Sequence, residues 1–117
     1  MRYPVFLVAL LGCTNPFGRN CTADVHPAIA VDVRASATGD LLAEGAAGVL
    51  RDGAYVDSLR PWKLPNQLGG AFERPGIYSV EIQRPGYAVW QRTGVRAQAG
   101  SCHVQTVTIR ADLVPEP

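Results

Sequence analysis

From residue 28 onward the chain alternates apolar and polar residues. Over residues 28–36, Ile29, Val31, Val33 and Ala35 fall on one face and Asp32, Arg34 and Ser36 on the other. That period of two predicts a half-buried strand. Thr38-Gly39-Asp40 turns the chain, and Asp52-Gly53 between two short apolar runs is a hairpin signal, giving strands near 46–51 and 54–60. Residues 61–70 carry Pro61, Pro65, Gly69 and Gly70, and read as a loop with a short edge segment and a brief strand around Ala71. Tyr78, Val80 and Ile82 then alternate with Ser79, Glu81 and Gln83, bounded by Pro75-Gly76 and Pro85-Gly86, each able to form a type II turn. In the final Val/Thr/Ile-rich run the inward phase shifts between Val104 and Val107, which predicts a β-bulge near Gln105-Thr106. No stretch after residue 13 has sustained helical periodicity. About seven short strands with frequent turns predict an all-β antiparallel sandwich.

The N-terminus follows another pattern. Residues 3–11 are apolar apart from a bend at Pro4, roughly nine residues against the ~20 needed for a spanning helix. A basic residue (Arg2), a short apolar run and a small residue (Gly12) form the plan of a secretory signal. An apolar run by itself also fits a buried strand over residues 5–11. Leu10 and the Gly12-Cys13 junction favour a lipoprotein signal over an ordinary cleaved secretory signal or that strand, because together they resemble the bacterial lipobox. That resemblance implies cleavage before Cys13 and lipidation of its thiol, with two or three acyl chains giving stable anchorage. Residues 1–12 are therefore expected to be a cleaved signal, residues 13–27 the lipid attachment and tether, 28–113 the folded domain and 114–117 a tail. Thr14, in place of an Asp, implies the outer membrane of the cell envelope where the common sorting rule applies.

Composition narrows the partners. The 117 residues are 47% hydrophobic and 18% charged, one domain's worth of chain with a formal charge of +1 that vanishes if Arg2 is removed with the signal. The arginines are scattered and Lys63 is the single lysine, so no phosphate-binding stripe exists and no nucleic-acid partner is expected. With Cys13 lipidated, Cys21 and Cys102 remain as an even pair in an exported chain, and a disulfide between them is expected.

The run Gly76-x-Tyr78-x-Val80-x-Ile82-x-x-Pro85-Gly86-Tyr87-x-x-Trp90, followed by Gly94-Val95 and the Val/Thr-rich last strand, resembles the carboxypeptidase regulatory-like domain. The likeness spans residues 28–113. It implies a transthyretin-like β-sandwich that performs no chemistry itself, so that a partner, where there is one, is another molecule of the envelope.

Candidate chemistry is sparse. Ser101, His103 and Asp112, or His26 with Asp24, are the conceivable catalytic sets, but no GxSxG elbow, HExxH or phosphate loop accompanies them. Both histidines are expected at the surface; an enzyme reading would require His26, His103 and a carboxylate to converge in one pocket. Metal and cofactor sites are not expected, since Cys-His spacing matches no ligand pattern. Tyr78, Tyr87 and Trp90 are expected to plug the core and its ends. Tyr55, Trp62 and Trp90 are the candidates for a carbohydrate- or peptide-stacking surface, with Trp62 the best exposed because prolines flank its loop.

Overall fold

The computed structural model describes residues 21–117. Cys13, the signal and most of the tether lie outside the described residues. The rest is an all-β sandwich of eight strands: β1 (Pro27–Ala35), β2 (Ala47–Asp52), β3 (Tyr55–Ser58), β4 (Arg60–Pro61), β5 (Gln67–Phe72), β6 (Gly76–Gln83), β7 (Trp90–Ala97) and β8 (Val107–Leu113). One sheet has the order β4-β5-β1-β8 and the other β3-β2-β6-β7. Every named pairing is antiparallel except β1 with β8, which run parallel.

The alternation seen in the sequence is the sandwich interior. Ile29, Val31 and Val33 of β1 meet Leu50, Tyr78, Val80 and Ile82 of the opposite sheet and Ala111 and Leu113 of β8, all at 1% exposure or less. Ala28 and Ala30 are also buried, on the other face of β1, where Trp62 lies over Gly69, the ladder partner of Ala30. Tyr87 and Trp90 are partly buried and pack against the core, as expected of end plugs.

Several local expectations change. Residues 67–72 are a full six-residue strand paired along β1, not a loop with a brief strand. Its glycines are there for close approach: a Cβ on Gly69 would stand 3.0 Å from the Trp62 side chain, and one on Gly70 3.0 Å from Leu50 and Leu59. The hairpin turn is Gly53-Ala54, one residue later than placed, because Asp52 already pairs with Tyr55. Pro85-Gly86 makes the expected tight turn, with Gly86 at φ 87° and Tyr87 N–H donating to Arg84 O at 3.0 Å. Pro75-Gly76 does not. Gly76 lacks a positive φ and opens β6, where a Cβ would collide with the carboxylate of Asp52 at 2.5 Å.

The bulge also moves. In β7, Thr93 and Gly94 together oppose Ser79, with Gly94 at φ 70°. At Gln105-Thr106 the chain instead leaves regular pairing: Gln105 N–H donates to Gln98 O, Val104 bridges Ala99, and the regular strand begins at Val107. The phase shift in the sequence marks the beginning of β8. Residues 114–117 are less of a tail than expected, since Ala88 N–H donates to Val114 O and Glu116 N–H to Gly86 O.

Candidate functional site

The parallel pairing of β1 and β8 sets the location of the site. Parallel neighbours begin at the same end of a sheet, so His26 before β1 and residues 102–106 before β8 share one corner. Because β5 is antiparallel to β1, with Pro27 opposite Phe72, its C-terminal end delivers Glu73 to that corner. The disulfide closes it: Cys21 and Cys102 are bonded, with their Cα atoms 5.3 Å apart.

Glu73 ties the corner together. One carboxylate oxygen accepts from the His26 backbone N–H at 2.9 Å and lies 2.6 Å from His103 Nδ1; the other accepts from Val104 N–H at 2.9 Å. These bonds, the Val104 N–H foremost, hold the carboxyl below its ordinary range against the opposing effect of desolvation. Reaching all three partners needs an abrupt turn at the end of β5. Ala71 and Glu73 both adopt positive φ, 54° and 55°, a conformation that costs non-glycine residues of order 1 kcal/mol or more each. Asp57 accepts from Ala71 N–H at 2.8 Å, and Glu73 N–H donates to His26 O at 2.8 Å, which holds the turn.

The two imidazoles stack, with centroids 4.1 Å apart and planes 18° from parallel. His26 Nε2 is 2.9 Å from Asp24 Oδ2, and His103 Nε2 is 2.9 Å from the Thr22 hydroxyl. The Thr22 hydroxyl first, then the Asp24 backbone and His26, lower the pKa of Asp24. Asp24, His26 and His103 each offer one ligating atom, and these atoms all lie within 4.8 Å of one another.

His26, His103 and carboxylates therefore do converge, though the histidines line two adjoining depressions and not one pocket. Asp24 and His26 line a cleft of about 380 Å³ with Trp62, Lys63, Gln67, Thr106 and Thr108, whereas His103 and Glu73 line its neighbour. His103 is also less exposed than a surface residue, its side chain 18% accessible. No family model matches the chain, and no curated protein matches it in sequence.

The catalytic sets considered from sequence are reassigned. Asp112 pairs with Arg110 at the far end of β8, so the carboxylate facing His103 is Glu73 and the hydroxyl is that of Thr22, not Ser101. A hydroxyl, an imidazole and a carboxylate in line have the outward form of an activated nucleophile. Acyl transfer also needs N–H donors aimed at the developing oxyanion. At this corner the N–H groups of His26, Glu73, Gly100, Val104 and Gln105 are donated within the fold, which takes these five out of that role.

The aromatic candidates do not form one surface. Tyr55 on β3 and Trp90 on β7 occupy opposite edges of the second sheet. Tyr55 lies under the Arg74 guanidinium, 3.8 Å from the ring centroid, and edge-on to Tyr78. Trp90 lies beneath Arg92. Trp62 packs edge-on against Phe72 in the other sheet and alone of the three lines the cleft beside His26.

Proposed function

We propose that this chain is a lipid-anchored protein of the cell envelope, held through Cys13, whose β-sandwich acts as a non-catalytic interaction module of the carboxypeptidase regulatory-like type. The observation that carries this reading is the pairing of Cys21 with Cys102. A disulfide belongs to an oxidising compartment, and this one accounts for two of the three cysteines, the third being Cys13 at the lipobox-like junction. Further support comes from the corner described above, where Glu73 ties three chain segments together. The cleft edged by Trp62 is the surface this reading favours for a carbohydrate or peptide group, because there an aromatic face adjoins the polar groups of Lys63 and Gln67.

Intact mass of membrane-extracted protein, with and without reductant, tests the reading. The expected species starts at Cys13, carries diacylglyceryl and acyl groups, and gains two hydrogens on reduction. A retained Met1 or an unmodified Cys13 would overturn the anchor. Collisional quenching of tryptophan fluorescence tests the surface: Trp62 should be quenched in the Trp90→Phe variant, and a fully protected Trp62 would remove the cleft from consideration.

A further inference from the structure

We propose that Asp24, His26 and His103 form a binding site for a divalent transition-metal ion of the zinc class. Two imidazoles and one carboxylate are a donor set of borderline softness that suits such an ion, and suits Ca2+ or Mg2+ poorly. Tetrahedral coordination with zinc-to-ligand distances near 2.1 Å puts neighbouring donor atoms about 3.4 Å apart. Asp24 Oδ2 and His26 Nε2 are already 2.9 Å apart, and all three donors lie within 4.8 Å. Closing the wider separations by up to about 1.4 Å and opening the Asp24–His26 pair by about 0.5 Å completes the set, within the reach of side-chain rotation.

The outer contacts are those a metal site requires. Glu73 takes the Nδ1 side of His103 at 2.6 Å and so leaves Nε2, 2.9 Å from the Thr22 hydroxyl, as the nitrogen that can ligate. A carboxylate on the far nitrogen of a ligating histidine fixes its tautomer and raises its basicity. The same Glu73 oxygen accepts from the backbone N–H of His26, so one side chain positions both candidate ligands. The disulfide keeps the segment bearing Thr22 and Asp24 beside His103 without metal. In this arrangement Thr22 Oγ1 sits against His103 Nε2, and the hydrogen bond between Asp24 and His26 lies where an ion would bridge them. The ion displaces the Thr22 hydroxyl from Nε2 and takes the bridging position. A fourth position remains for water.

One geometric change must accompany binding. Stacked rings 18° from parallel aim their in-plane lone pairs side by side, whereas a shared ion needs them to converge. His103 is pinned by Glu73, so the His26 ring swings open with Asp24. Loss of the stack is therefore a signature that a loosely associated surface ion would not produce.

Zn2+ titrated into the purified, metal-free full chain, followed by calorimetry and by the histidine side-chain NMR signals, decides the matter. The expected result is saturable 1:1 binding, with the His26 and His103 signals moving together and no response to Mg2+. His26→Ala, His103→Ala and Asp24→Asn should each abolish or strongly weaken it, and Glu73→Gln should weaken it about 10- to 100-fold. Zn2+ should also raise the urea midpoint of the parent protein and leave that of His103→Ala unmoved, provided this variant shows the parent's circular dichroism. Absence of saturable binding, unchanged binding in the His26→Ala/His103→Ala double variant, or movement of only one histidine would overturn the proposal.

Discussion

Replacing both disulfide cysteines, as Cys21→Ser/Cys102→Ser, perturbs the fold where residue 21 is cross-linked to the segment before β8. The bonded residues are 81 positions apart. If the reduced native state keeps its shape, restricting a loop of that length in the unfolded chain gives about 4.5 kcal/mol in the chain-entropy treatment. If residues 21–26 fray once released, the native state regains freedom too, and only the ratio of the long loop to a six-residue segment counts, about 2 kcal/mol. Urea unfolding read by the fluorescence of Trp62 and Trp90 separates these limits. With a slope of about 1.5 kcal/mol per molar, the midpoint falls by roughly 1.5 M for a fraying segment and 3 M for a fixed one. The two outcomes differ in structure as well: fraying removes Thr22 from His103 Nε2, which shifts the His103 signal, whereas a fixed segment leaves it in place. A midpoint lowered by less than about 0.5 M at unchanged slope would refute the view that this bond staples the fold.

Substitutions at two further residues test polar contacts within the fold. Asn66 is 4% exposed; its carbonyl accepts from Ala43 N–H at 2.8 Å and its amide donates to Asp32 at 2.8 Å and to Val33 O. Because Leu42 N–H also donates to Val33 O, Asn66→Ala orphans chiefly the Ala43 donor and should cost about 1–3 kcal/mol in a urea titration. Asn66→Asp should cost more at neutral pH, by facing a carboxylate with Asp32, and should recover on acidification; a pH-independent loss would contradict this account. Glu73 has a depressed pKa, so its contribution is complete above the ordinary glutamate value and is lost as pH falls through the lower, folded-state value. The urea midpoint of the parent should drop more steeply below about pH 4.5 than that of Glu73→Gln, and parallel acid limbs would show the Glu73 bonds to be without net effect.

How much of this fold could be read from the sequence depends on how local each signal was. β1 and β6 were legible because Ile29, Val31 and Val33, and then Tyr78, Val80 and Ile82, each place one uninterrupted face in the core. β5 was missed because Gly69 and Gly70 weaken a strand by their own propensity. Only the side chains of Trp62, Leu50 and Leu59, from other elements, show why glycine is needed there. Pro75-Gly76 misled for the same reason: a turn signal was produced by the crowding of Asp52 and Arg74 around a strand residue. The parallel partnership of β1 and β8 had no local signature, since pairing direction depends on the whole topology.

The site was hidden by sequence distance, yet part of it followed from a constraint already in hand. Thr22 and His103 each come one residue after a cysteine of the expected disulfide, so that bond places the hydroxyl and the imidazole side by side, 81 positions apart in the chain. His26, five residues beyond Cys21, is brought to the same corner by β1. Glu73 could not have been found this way. It reaches the histidines because β5 was a real strand antiparallel to β1, and because two successive departures into positive φ, at Ala71 and Glu73, turn its carboxylate back across the sheet end. Missing β5 therefore meant missing the residue that orients the His103 imidazole and anchors the backbone of His26. A strained turn whose carboxylate answers the backbone N–H of His26 and Val104 as well as His103 Nδ1 does more than close a sheet edge, since the first two bonds alone would hold the segments together. The third fixes the direction of a ring that faces another histidine and an aspartate. Glu73→Gln discriminates between these duties: a purely structural residue would alter the urea midpoint alone, whereas one that orients His103 alters Zn2+ affinity by a larger factor than folding stability.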